Sequence, residues 1–307
     1  MFKRVQDVAI KQGVRFVALN RRNYPGSTPY TPEEINTLLN GTKEQRDGWH
    51  KDRGHEVGMF IYKLIEKGGI PPISADRKTG GIVIHGWSAG AGDANAMIAH
   101  AGTLPEDVRS RLASYMRALI IQGAYRLCIL NSISVTDIKS DSHSVMFGAS
   151  PDPTEHSPLV DEQLSPEGRL LKFYTWVGAY FKHGDISTQD VGNLSRVEPL
   201  DIPPPSIHKM TAEEQKEIIC TGKETEHELP YMLVSQEQFN YAYRMAFMGD
   251  SVRTLFPGFK ASFLAGELSP AFGIRSYWML GNDLKKSGKS FGVRLVPDSN
   301  HFVSFFK

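Results

Sequence analysis

The sequence predicts an α/β fold, and three observations carry that prediction. In the stretch from Gly80 to His100, the β-branched run Ile82-Val83-Ile84 stands between glycines, the composition of a buried strand of a parallel sheet. An alanine-rich segment with no proline follows it at once and reads as a helix. Similar short apolar runs recur at Ala118 to Gly123, Ala261 to Ala265 and Gly292 to Val296, with helical segments among them. At 307 residues the chain is long enough for one α/β domain with an inserted subdomain.

In chain order, Val5, Val8 and Ala9 lie at helical spacing, and Gly13 is a stop signal. Val14 to Leu19 reads as a strand. The turn-rich loop after it, Asn20-Arg21-Arg22-Asn23-Tyr24-Pro25-Gly26-Ser27-Thr28, falls at a strand's C-terminal end, the side on which open parallel sheets bind ligands. Residues Thr31 to Gly69 read as helical, opened by Thr31-Pro32-Glu33-Glu34 as N-cap and proline first turn. His50, His55 and Glu56 miss the spacing of a zinc-binding helix, so they are read as a solvated face.

Residues 124–255 lose the strand–helix alternation. They contain Ser150-Pro151-Asp152-Pro153, Ile202-Pro203-Pro204-Pro205 and helical stretches at Leu170 to Phe181 and Gln236 to Met248. An insertion of this kind between sheet strands reads as a cap over the sheet's C-terminal edge. Its aromatics and methionines, Phe173, Trp176, Phe239, Tyr243 and Phe247 among them, form a cap core, the remainder lining an apolar pocket. The predicted organisation is thus 1–123 and 256–307 as the two parts of the core, with 124–255 inserted. The second part holds a helix through Tyr277 and Trp278, a loop from Gly281 to Ser290, and the last strand.

Between the first strand and its helix lies Gly86-Trp87-Ser88-Ala89-Gly90, a G-x-S-x-G. A serine at the apex of a sharp strand-to-helix turn needs small neighbours two residues away on each side, and Gly86 and Gly90 answer that need. Ser88 then projects above the sheet, and the Ala89 N–H, opening a helix, is a candidate oxyanion donor. A serine hydroxyl requires an imidazole to take its proton and a carboxylate to orient that imidazole. In this architecture they arrive in the order serine, acid, histidine. His301, after the last strand, is the candidate base. Glu267, after the strand before it, is the candidate acid, with Asp283 as the alternative. Trp87, beside Ser88, and Asn23 and Tyr24 of the early loop are the candidate substrate contacts.

Other chemistries fit less well. Gly86, Gly90 and Gly92 suggest a dinucleotide cradle, but Asn95 stands where its third glycine belongs, and no Tyr-x-x-x-Lys pair occurs in the chain. Ser287-Gly288-Lys289-Ser290 lacks the glycine that a phosphate loop needs at position 283. No cofactor and no metal is therefore expected. A net charge of +1 gives no field for nucleic acid or an anionic membrane. The cysteines, Cys128 and Cys220, make no disulfide framework or metal pattern. With no membrane span or signal sequence evident, a cytoplasmic location is the expectation.

These residues together resemble the α/β-hydrolase superfamily, and within it fungal hydrolases of the lipase/esterase-like branch. The segments that carry the resemblance are Ala18 to Ser27, the turn at Ser88, Gly266-Glu267 and Asn300-His301-Phe302. It implies a mostly parallel sheet flanked by helices, with a variable, mainly helical cap. It also implies an acyl-enzyme reaction on a carboxylic ester, thioester or lactone of a hydrophobic small molecule. The chain departs from the family in having Ser269 where an aspartate is usual and Asn20 for another. The family's first strands, its His-Gly loop with a second oxyanion donor, and its final helix are not found, so the resemblance implies an N-terminally truncated member. An alternative is a non-catalytic relative that binds a small molecule or partner in the capped pocket. Oligomeric state is not legible.

Overall fold

The computed structural model describes residues 3–123, 156–219 and 227–303. Its centre is a four-stranded parallel sheet of β1 (Ile82–Trp87), β2 (Met116–Gln122), β3 (Lys260–Gly266) and β4 (Gly292–Val296), in the order β1-β2-β3-β4. In register, Gly86 stands beside Ile121, Ile121 beside Phe263, and Gly266 beside Val296. All four strands run the same way, so the loops after them meet at one edge of the sheet.

Helices α1 (Lys3–Lys11), α2 (Pro32–Asn40) and α3 (Lys43–Gly68) precede the sheet. Helices α4 (Gly90–His100) and α5 (Glu106–Ala113) connect β1 to β2. The described part of the insertion is mainly helical, with α6 (Pro166–Val177), α7 (Ala212–Ile218), α8 (Glu228–Val234), α9 (Gln236–Met248) and α10 (Asp250–Leu255). Helix α11 (Ala271–Ser287) links β3 to β4. The expected fold class holds: a parallel sheet between helices, with an inserted helical region. Among the described residues no helix is long and apolar enough to cross a membrane. Cys128, Cys220 and Ser150 to Pro153 lie outside the described residues.

The packing explains the layers. On α3, positions 50, 54, 58, 61 and 65 form one buried stripe. Gly54 in that stripe lets α4 approach so closely that a Cβ there would lie 2.5 Å from the Ala96 carbonyl oxygen. Helix α9 packs on the other flank of α4, burying Phe239, Tyr243, Ala246 and Phe247. The inserted region thus supplies a helix to the layer beside the sheet, and its Phe181, His183 and Gly178 hydrogen-bond the loops after β3 and β4.

Three local expectations are corrected. Val14 to Leu19 is not a strand: it pairs with none of the described strands, and Val14, Val17 and Leu19 are exposed. Strand propensity reflects packing on a pleated surface, and this run lies beside no strand among the described residues. The helix read over Thr31 to Gly69 is two helices. Thr31 caps the first, its hydroxyl accepting the Glu34 N–H at 3.2 Å while Glu34 accepts the Thr31 N–H at 2.8 Å. Thr42 and Gln45 repeat the arrangement and start the second. The loop read from Gly281 is helical as far as Ser287, where Gly288 caps α11 in the left-handed region at φ +63°.

Candidate active site

At the end of β1 the backbone turns through Ser88 at φ +52°, and α4 begins two residues later. Positive φ costs a non-glycine residue about 1–2 kcal/mol, so neighbouring contacts must hold it. The Ser88 N–H donates to the Gln122 carbonyl at 3.0 Å, extending the β1–β2 ladder by one residue. The Ser88 carbonyl accepts the Ala91 N–H at 3.0 Å and so opens the helix. The Ala89 N–H precedes this first turn and has no protein acceptor among the described residues. It is a free donor at the positive end of an 11-residue helix.

The two motif glycines are not equivalent. A Cβ on Gly86 would lie 2.8 Å from the Ala94 Cβ and 2.9 Å from the Ile121 Cδ1, whereas one on Gly90 would meet nothing within 4 Å. The close approach of α4 to β1 needs the first glycine, while the second stands in open space, contrary to the expectation that both relieve crowding. Gly86→Ala is expected to cost about 1–3 kcal/mol, and Gly90→Ala to be neutral or stabilising by up to about 1 kcal/mol. Thermal denaturation of the pair checks this, and equal melting temperatures would refute it.

His301 sits in the loop after β4, 1% exposed. Its ring lies over Gly123, the first residue beyond β2, where a Cβ would come within 2.8 Å of Nδ1. The Trp87 Nε1–H donates to the His301 carbonyl at 3.3 Å. The ring centroids of Trp87, Phe272 and Phe302 lie 5.4, 5.5 and 5.7 Å from that of His301. His301 is therefore seated beside the residues that flank Ser88 in the chain and across the ladder. Burial alone pushes its pKa down to about 3. Nδ1 is buried with no partner among the described residues.

Glu267 follows β3 as expected, with its N–H donated to the Val296 carbonyl at 3.0 Å, but its charge acts on His183. That imidazole accepts the Ser195 N–H at Nδ1 and donates from Nε2 to the Ser269 carbonyl at 2.8 Å, which fixes it as the neutral Nε2–H form. Asp283 lies on α11 and accepts the Tyr243 hydroxyl at 2.9 Å. Neither carboxylate hydrogen-bonds His301. The structure brings Ser88, Ala89 and His301 to one edge of the sheet, and among the described residues no carboxylate hydrogen-bonds the His301 ring.

Asn23 and Tyr24 belong to a polar cluster that the sequence reading did not anticipate. Arg21 pairs with Glu228 at 2.6 Å and stands 3.8 Å from Asp93, which follows Ser88 on α4. The Tyr231 hydroxyl donates to Asp93 at 3.3 Å, and Asn23, itself at φ +73°, meets His227 at 3.3 Å. Burial raises the Asp93 pKa, against the pull of Arg21. Burial acts the same way on Glu228, but Arg21 and His227 outweigh it and hold that carboxyl at about 2. Tyr24 is pushed upward, chiefly by burial. Only the loop's position hinted at this cluster, because Glu228 is remote in the chain and has no local signature.

His50 is also displaced from its expected setting. Instead of a solvated face it lies 1% exposed against Phe239, His100 and Tyr231, with neither ring nitrogen partnered among the described residues. Burial, then His100, lowers its pKa to about 3. Its spacing to Gly54 and Gly58 was the available signal, masked because glycines do not register as apolar. Among the described residues, no group of three or more His, Cys, Asp or Glu side chains is arranged to hold a metal. Comparison with known proteins gives no relative: no family model, no curated protein and no solved structure matches the chain.

Proposed function

We propose that the chain is a serine hydrolase acting on a carboxylic ester, thioester or lactone of a hydrophobic small molecule. The observation that carries this reading is Ser88 held at φ +52° on a strand-to-helix turn, with His301 seated beside its flanking residues. In this mechanism His301, neutral at pH 7, takes the Ser88 proton as the oxygen attacks the carbonyl carbon. The Ala89 N–H donates to the oxygen that gains charge. His301 then gives the proton to the leaving group; water, deprotonated in turn by His301, attacks the acyl carbon, and His301 passes that proton to the Ser88 oxygen as the acyl bond breaks. A low pKa makes His301 a weak base, so slow turnover belongs to the proposal. Glu267 remains the candidate acid by topology.

The test is labelling with a fluorophosphonate, which phosphonylates an activated serine. The wild-type chain should label and Ser88→Ala should not. A folded wild type that stays unlabelled would instead support the second reading, a non-catalytic small-molecule binder. One observation favours that alternative: among the described residues no carboxylate orients His301.

A further inference from the structure

We infer that Trp87 is a positioning residue for His301, a role that rests on the reading of Ser88 and His301 as nucleophile and base. A hydrolytic histidine is ordinarily oriented through a hydrogen bond to its second ring nitrogen. Here Nδ1 has no partner among the described residues, and the groups packed on the ring are Trp87, Phe272, Phe302 and Gly123. None carries a charge or titrates. The ring must therefore be fixed by shape and by its own backbone.

That backbone is pinned from two directions. Asn300, 2% exposed, donates to the Gly178 carbonyl at 2.6 Å and to Ser206 Oγ at 2.7 Å, and accepts the Phe302 N–H at 2.9 Å. This anchor ties the loop to the inserted helical region. The other anchor is the Trp87 Nε1–H on the His301 carbonyl, with the two rings in contact at a 42° tilt. Trp87 is bonded directly to Ser88. One side chain thus refers the base to the nucleophile across the span between β1 and β4, the outer strands among those described. The residue expected to touch substrate faces the base loop through its indole N–H.

The test compares Trp87→Phe with an isosteric benzothiophene side chain at position 87, which keeps the ring's shape and lacks the N–H. The rate of fluorophosphonate labelling is followed from about pH 5.5 to 8 beside melting temperature. Both replacements should slow labelling by about tenfold to a hundredfold. Both should also raise the midpoint of the pH profile toward the ordinary histidine value of about 6.5, because a loosened ring gains water. A folded benzothiophene variant with the wild-type rate and profile would overturn the role. So would a changed KM for ester substrates with the pH profile unmoved, which marks a substrate contact instead. A labelled wild type with unaffected variants removes this inference alone, whereas a folded wild type that no probe labels removes the hydrolase reading and this role together.

Discussion

Lowering the pH from 7 to 5 is expected to remove about 4 kcal/mol of folding stability through two buried histidines, His50 and His301. Each is 1% exposed and held near pKa 3, chiefly by burial. In the unfolded chain each returns to about 6.5. Between those values the unfolded state binds the extra proton, so stability is complete above about pH 6.5 and is lost as pH falls toward 3. At pH 5 each ring accounts for about 2 kcal/mol. Against a typical total of about 5–15 kcal/mol that is a large share. Urea denaturation at the two pH values measures it, and His50→Phe, suited to the aromatic surroundings of that site, should reduce the difference by about 2 kcal/mol. Equal stabilities at pH 7 and 5 would show that the rings are hydrated or already protonated in the native state.

Gly266→Ala is the substitution expected to do most damage. Gly266 ends β3, and the chain leaving β4 crosses directly over it. The Leu268 N–H donates to the Ser299 carbonyl at 2.8 Å across that crossing. A Cβ at 266 would overlap the backbone carbonyls of Ser299 and Asn300 and come 2.6 Å from the Ser299 carbonyl carbon. Backbone has no rotamer with which to yield, so the whole loop must rise. We expect a loss of roughly 3 kcal/mol or more. The molecules that remain folded should also label more slowly, because the displaced loop carries His301. A melting temperature within a degree or two of wild type would mean that the crossing is looser than described.

What was legible in the sequence follows how local each cause is. The last strand, Gly292–Val296, and helix α9, Gln236–Met248, have the bounds that pattern alone assigns. Thr31 was legible as a cap because its partner Glu34 lies three residues away. Val14 to Leu19 misled because a β-branched run reports suitability for a sheet, not the presence of a neighbour. Gly281 misled because one helical glycine costs only about 1 kcal/mol, which the packing of Trp278 and Leu280 on the same helix offsets. At the site, the positions of Ser88 and His301 in the chain were readable from order and spacing. The lack of a hydrogen bond between Glu267 and His301 was not, because a carboxylate at a strand end has several neighbours and sequence order does not choose among them. The pairing of Arg21 with Glu228 was equally hidden, since it joins the early loop to the insertion through space alone.

Among the described strands, β1 pairs only with β2. Ile82 and Ser88 spend their amides on that one neighbour, and by the two-residue alternation of a strand those of Val83, His85 and Trp87 turn away from it. Among the described residues, the strand that delivers the strained serine is thus braced by one neighbouring strand, while α3, α4 and α9 form a thick apolar layer. Such a molecule has two tiers of cooperativity. Opening the rim relaxes the turn and parts Ser88 from His301, while the helical layer and the inner strands stay intact. Gentle heating is therefore expected to release the Ser88 turn while the bulk of the helix content persists.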